Sequence, residues 1–215
     1  MPEHFDAQHT VEDALARSME DRRGPLSSWW EALRELGAVD RAVYQAVAVT
    51  STPHLDDAFR RLSKAANYSR LWLGVGAAIA TLGGRRGRRV AIEGVLAIGA
   101  TSATVNLGIK PLARRRRPDR AHTAPFEARF VPMPDSTSFP SGHSASAFAF
   151  AYTVGRHYPA LAVPVRVLAS GVAYSRVHTG VHYPGDVVLG SIIGAGTAAV
   201  VGRACDSHID RHGGR

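Results

Sequence analysis

The chemistry open to this 215-residue chain is carried by a few histidines, one carboxylate and several basic residues at fixed spacing. His182 is followed four positions later by Asp186, with Pro184 between them. A proline there marks a helix start, which puts His182 at the helix mouth and Asp186 in its first turn. A carboxylate at that spacing accepts a hydrogen bond from one ring nitrogen, fixes the tautomer and leaves the other nitrogen free as a nucleophile. It also stabilises the cation formed when that nitrogen is phosphorylated. His178 lies in the same run with no carboxylate after it at the matching spacing, so it is expected to stand outside the chemistry.

A second segment reads Ser138-Phe139-Pro140-Ser141-Gly142-His143. Its proline and serine predict a helix start. The amides exposed there, with Gly142 allowing close approach, make an anion site, and His143 could lend it a proton near neutral pH. The same residues also fit a capped helix with an incidental histidine. A third segment starts at Lys110 and runs through Arg114, Arg115, Arg116 and Arg117 to Pro118. Arginine grips phosphate oxygens through two parallel hydrogen bonds, whereas lysine acts as a point charge. By itself this run also fits a basic flank that ends a membrane helix.

Together the three segments resemble the type 2 phosphatidate phosphatase superfamily. Its signature is Lys-x6-Arg-Pro, then Pro-Ser-Gly-His, then Ser-Arg-x5-His-x3-Asp. Here these stand in order as Lys110…Arg117-Pro118, Pro140-Ser141-Gly142-His143 and Ser175-Arg176…His182…Asp186, with no departure at a motif position. The resemblance covers residues 70–203 or so and leaves out the N-terminal segment. It implies an all-α fold with a six-helix core and a phosphomonoesterase or diphosphatase that uses no metal and no other cofactor. It also implies that His182 forms a phosphohistidine, that Asp186 orients it, and that His143 protonates the leaving alkoxide. Lys110, Arg117 and Arg176, with Ser141 and the Gly142 amide, would hold the phosphoryl oxygens. Arg114, Arg115 and Arg116 are not motif positions and read as lipid headgroup contacts or flank.

The elements that must position these residues are nearly free of charge. Residues 71–84, 141–155 and 187–202 contain no Asp, Glu, Lys or Arg; 90–109 contain only Glu93, and 158–175 only Arg166. A spanning helix needs ~20 mostly apolar residues and seldom fewer than ~17. Five such stretches predict a polytopic helical membrane bundle of about five or six spans, with Gly190 and Gly194 in the small-xxx-small pattern of close helix approach. Ahead of them, 38–50 predicts a short apolar helix, and 55–67 an amphipathic one with Leu55, Ala58, Phe59 and Leu62 on one face. Residues 29–36 predict an amphipathic helix whose Trp29 and Trp30 suit a membrane interface or the packing of a soluble helix. The expected organisation is a polar N-terminal segment (1–38) with no secretory signal, a membrane-embedded phosphatase domain (39–203) and a cytoplasmic tail (204–215).

Composition narrows the partners. The formal charge is +8 with 45% hydrophobic and 20% charged residues, which argues against disorder. The single cysteine, Cys205, excludes a disulfide framework and a Cys-based zinc site. A pI near 10.3 raises nucleic acid as a partner, and a mean hydropathy of -0.08 looks soluble. Yet the basic residues flank apolar stretches instead of sharing one soluble face, so no nucleic acid is expected. With the arginines at 85–89 placed in the cytoplasm by the positive-inside rule, successive crossings bring all three motif segments to one side of the membrane. The expectation is therefore a plasma-membrane protein whose site faces outward onto a phosphorylated lipid, its oligomeric state open. Candidate substrates are a polyprenyl diphosphate, a polyprenyl-linked sugar phosphate, phosphatidylglycerol phosphate and phosphatidate. Two alternatives are a non-catalytic anionic-lipid binder and a soluble acid phosphatase or haloperoxidase of the same superfamily. The paired His182 and Asp186 count against the first, the uncharged helices against the second.

Overall fold

A computed structural model describes residues 25–120 and 125–212, apart from the side chains of residues 25–30, 32, 33 and 212. The expectations for residues 1–24, and for the tryptophan side chains at 29 and 30, lie outside the described residues. The contacts divide the chain into two units, Met1–Ala42 and Val43–Arg215, each described here by itself. Seven α-helices and no strand are present among the described residues. They are α1 (Pro25–Val49), α2 (Pro53–Ala65), α3 (Arg70–Leu82), α4 (Gly84–Ala103), α5 (Gly142–His157), α6 (Pro159–His178) and α7 (Pro184–His212). The all-α expectation holds.

The two short helices expected at 29–36 and 38–50 are one continuous helix, α1. Only Gly37 separates them, and a single glycine costs a helix ~1 kcal/mol without breaking it. Pro53 does break it, because proline drives the residue before it out of helical geometry, and Thr52 has φ -139°. Within the first unit the helix surface is open: Leu36 and Val39 are both exposed.

The second unit is built around α5. Ala145, Ala147, Ala149 and Ala151 on this helix are fully buried, and their small side chains let α4, α6 and α7 approach closely. On α7, a Cβ at Gly190 would come within 2.6 Å of the Ser141 carbonyl, and one at Gly194 would run into the Ala145 carbonyl. The small-residue pattern therefore marks a real helix contact, with the backbone of α5. Trp72 of α3 and Phe150 of α5 meet with ring centroids 5.6 Å apart and close the core with Val90, Val154 and Val172. Each fully buried side chain of this size contributes ~1.5–3 kcal/mol.

Three helices are long and apolar enough to cross a membrane: Gly84–Ile109, Pro159–His178 and Pro184–Arg211. Two other uncharged stretches form shorter helices, α3 of 13 residues and α5 of 16. The latter spans about 24 Å and is covered by its neighbours. Leu82, Leu107, Val163, Val167, Ile192 and Val200 all point outward. Such a surface is costly in water and suited to lipid.

The arginines at 85–89 lie in the first turns of α4. The reversal between α3 and α4 takes only Gly83 and Gly84, the latter at φ +56°, a conformation glycine adopts without strain. Near this end of the bundle Glu93, the one carboxylate in its stretch, is buried and neutralised. It accepts from Arg156 at 3.0 Å and lies 2.8 Å from His157 Nε2, while Arg89 and Arg156 both reach Asp206 on α7. A buried acid without such partners would be strongly destabilising. The opposite end of the bundle gathers the C-terminal ends of α4 and α6 with the N-terminal ends of α5 and α7.

Candidate active site

The three motif segments meet because their backbones are joined to one another. Past Ala103, α4 widens into a π turn, Thr104–Ile109, and the Lys110 amide donates to the Val105 carbonyl at 2.9 Å. Such turns recur at functional sites because they re-aim the residues that follow. The Ser138 amide donates to the Arg115 carbonyl (3.0 Å) and its hydroxyl to the Arg116 carbonyl (3.1 Å), tying the second segment to the first. The Ser141 amide donates to the Asp186 carbonyl (2.9 Å), tying the second to the third. Arg117 donates to the Val181 carbonyl (2.7 Å), closing the ring.

Lys110, Arg117, Gly142, His143, Arg176 and His182 line one cavity of about 260 Å³. Each cation is aimed by a neighbour. Arg176, only 2% exposed, donates to Ser63 on α2 at 2.5 Å, while its Nε has no hydrogen-bond partner among the described residues. The Arg117 Nε donates to the Ser136 carbonyl at 2.9 Å, and Lys110 donates to the Ser136 hydroxyl at 3.1 Å. Among the described residues no carboxylate lines the cavity. Burial, and then the guanidinium charges of Arg117 and Arg176, push the Lys110 ammonium below its usual value. Burial also lowers Arg117, against the pull of Asp186. Three crowded cations and the amides at the start of α5 make a socket for an anion with several oxygens.

His182 lies deepest, 2% exposed, with Asp186 fully buried behind it. The Arg117 Nη1 is 3.2 Å from His182 Nε2. A guanidinium only donates, so Nε2 must be the accepting, lone-pair nitrogen, and the ring proton sits on Nδ1. Nδ1 is 3.5 Å from Asp186 Oδ2, an ion-pair approach too long for a good hydrogen bond. Burial first, opposed by Asp186 and reinforced by Arg176 and Arg117, takes the His182 pKa down to about 4. The imidazole is therefore neutral at ordinary pH, with its lone pair on the cavity side. Asp186 is itself fixed by the Tyr183 amide on Oδ2 (3.0 Å) and by Arg115 Nη1 on Oδ1 (2.8 Å). The Arg115 guanidinium also stacks 4.3 Å over the Tyr183 ring.

His143 stands on the first turn of α5, where its Nε2 meets Asn67 Oδ1 at 2.9 Å. Asn67 comes from the α2–α3 connection, where Tyr68 and Ser69 have φ +55° and +57°. Two successive non-glycine residues in this region are uncommon and costly. The helix start expected at Pro140 falls two residues later, with Ser141 as the N-cap. The Ser141 hydroxyl is fully buried, accepts from Ser144 and does not line the cavity; the Gly142 backbone does. His178 is outside the cavity. A carboxylate does meet it, but from α2: Asp56 at 3.2 Å, in a buried node with Arg129 and Thr52. Among the described residues no group of three or more His, Cys, Asp or Glu is placed to hold a metal ion.

Sequence reasoning missed four supporting residues. Ser63, Asn67 and Ser136 carry no signal of their own, being common polar residues far along the chain from what they hold. Arg115 was in view inside an arginine run but was read as flank.

Known proteins show the same pattern. The sequence model described as the PAP2 superfamily matches residues 92–206. A decaprenylphosphoryl-5-phosphoribose phosphatase of Mycobacterium tuberculosis is 42% identical over 117 residues, which cover 54% of this chain and 62% of that protein. The chain thus spans somewhat under two thirds of that relative. A protein of the same name from Mycolicibacterium smegmatis is 36% identical over 147 residues, covering 66% of this chain and 75% of that one. The crystal structure of a transmembrane PAP2 type phosphatidylglycerolphosphate phosphatase from Bacillus subtilis superposes with a TM-score of 0.61 at 25% identity, covering 81% of this chain and 88% of that one.

Proposed function

The chain belongs to the PAP2 superfamily as a membrane protein, and on that premise we propose that it is a lipid phosphate phosphatase working through a phosphohistidine. The observation that carries this is the His182 lone pair, facing a cavity of three cations and backed by Asp186. A binding site for an anion has no use for a neutral imidazole at its floor, whereas phosphoryl transfer needs one.

In the first step His182 Nε2 attacks phosphorus, and the bond to the leaving oxygen breaks. Its electron pair goes to that oxygen, which takes a proton from the His143 imidazolium. Burial and the neighbouring cations hold the resting His143 well below its usual value; the charge of the bound phosphate offsets those cations so that the protonated ring forms. Asp186 balances the imidazolium through Nδ1–H. In the second step water attacks phosphorus and gives a proton to His143. The phosphorus–nitrogen bond breaks, its electrons return to His182, and orthophosphate leaves. Lys110, Arg117, Arg176 and the Gly142 amide hold the three non-bridging oxygens throughout; the Ser141 hydroxyl keeps the start of α5 in place.

The substrate best supported is a polyprenyl-linked sugar phosphate, the class named for the mycobacterial relatives. Beyond the cations, Ser69, Ser102, Asn106 and Ser146 line the cavity with groups suited to sugar hydroxyls. The site faces the outer side of the plasma membrane, with the arginine-rich start of α4 in the cytoplasm. No metal or cofactor takes part.

Phosphate release from this substrate, phosphatidate, phosphatidylglycerol phosphate and a polyprenyl diphosphate, with and without EDTA, tests the reading. The sugar phosphate should be turned over fastest and EDTA should change nothing. His182→Ala should lower kcat on the order of 10⁴-fold. Quenching the active protein in alkaline detergent should trap a phosphohistidine that survives base and is lost on acid treatment. A His182→Ala protein of undiminished activity would overturn the mechanism.

A further inference from the structure

Far from the active site, a groove runs between α4 and α7. Arg85 and Arg88 stand at its rim, Ile92, Leu96 and Ala100 follow down α4, and Val201 and Ile209 form part of the facing wall on α7. From Arg85 to Lys110 is about 38 Å of helix, so this is a separate place from the phosphate cavity. Its walls are almost wholly apolar, and its charge is confined to one end. Glu93, also in the lining, is already neutralised by Arg156 and His157.

The four arginines at the start of α4 are not used alike. Arg86 lies over the Tyr158 ring and donates to the His157 carbonyl, and Arg89 pairs with Asp206. These two hold the bundle together. No hydrogen bond, ion pair or ring contact engages Arg85 or Arg88 among the described residues, and both line the groove. Two unengaged guanidinium groups at the head of an apolar channel are complementary to one kind of molecule. It has a negatively charged phosphate at one end and an acyl chain along the rest. The 15 helical steps from Arg85 to Ala100 give the channel a length of about 22 Å, on the scale of one acyl chain.

We propose that this groove binds one anionic phospholipid of the bilayer, with its phosphate between Arg85 and Arg88 and one acyl chain along Ile92, Leu96 and Ala100. Basic pockets between membrane helices bind acidic headgroups in this manner. The lipid would clamp α4 to α7, two helices whose far ends carry Lys110 and Asp186. It is not a substrate, because its phosphate is a diester.

The test uses the full chain in nanodiscs of phosphatidylcholine alone or with phosphatidylglycerol, a phosphodiester that leaves the active site out of the comparison. Thermal unfolding and the lipid retained in native mass spectrometry are read together. Phosphatidylglycerol should raise Tm by about 5–10 °C at near-saturating lipid, and one molecule should stay bound. The double variant R85Q/R88Q should lose most of the shift and the retained lipid. L96W, which fills the channel and keeps both charges, should lose them as well. R114Q, an exposed arginine at the other end of the bundle, should keep both. Equal stabilisation by phosphatidylcholine, an unchanged shift in R85Q/R88Q, or an equal loss in R114Q would each overturn the proposal. None of these readouts depends on phosphatase activity.

Discussion

At His182 the electrostatics set a pH dependence that can be measured. As the proposed nucleophile His182 must be unprotonated, and burial among cations holds its pKa down at about 4. Activity needs the base form, so kcat/KM should stay level as pH falls through the usual histidine range and drop only nearer pH 4. An acid limb at about 6.5 would show that the ring is not held as described. Arg115 provides a second handle. It neutralises Asp186 Oδ1 from 71 residues away, so removing its charge should let Asp186 pull more strongly on the His182 proton. R115Q should lower kcat about tenfold, ~1.4 kcal/mol of transition-state stabilisation, with little change in KM. Its acid limb should move up toward 6.5. R115K, which keeps a point charge, should restore part of both. A loss of kcat with no movement of the limb would mean that Arg115 only supports the fold. The residues of the motifs were legible in the sequence because each motif is local. The partners that aim them were not, because Ser63 with Arg176 and Asn67 with His143 meet only after α2 and the α2–α3 connection have packed on the bundle.

Among the elements, charge-free length was a good guide to helices and a poor guide to their surroundings. The stretches 141–155 and 187–202 look alike in sequence, yet α5 is enclosed by its neighbours while much of α7 faces outward. What separates them is packing. The alanines of α5 accept three helices at close range, and α7 meets it through Gly190 and Gly194. The π turn after α4 likewise left no mark that periodicity could read, since it depends on where Lys110 must point. The glycine contact can be tested within α7. Gly194→Ala would place a methyl group against the Ala145 backbone, which cannot give way like a side chain, and should cost ~1–3 kcal/mol. Gly196→Ala, two residues on with nothing within 4 Å, should be neutral or stabilise by up to ~1 kcal/mol. Equal effects on thermal unfolding would remove the close contact from the account.

Across the whole molecule, charge is sorted by use, and that sorting predicts orientation. At the active-site end Arg115, Arg117, Arg120, Arg129 and Arg176 are held by carbonyls, hydroxyls or carboxylates of the protein itself. At the opposite end Arg85 and Arg88 are unengaged among the described residues, and Arg203 and Arg211 stand exposed on α7. The positive-inside rule acts on charge that remains outside the fold. The arginines held within the fold at the active-site end therefore do not oppose a cytoplasmic start of α4. Arg114 and Arg116, also exposed at that end, do oppose it, and the orientation needs a direct test. Cys205 lies at the same end as the start of α4, and Leu112, 85% exposed, lies beside the active site. In intact cells a membrane-impermeant maleimide should label L112C in a C205A background and leave the wild-type Cys205 untouched. In inverted vesicles the pattern should reverse. Labelling of Cys205 from outside would turn the molecule over and move its substrate to the inner leaflet. Both lipid sites would then exchange leaflets, because α4 and α7 connect them rigidly across the bundle.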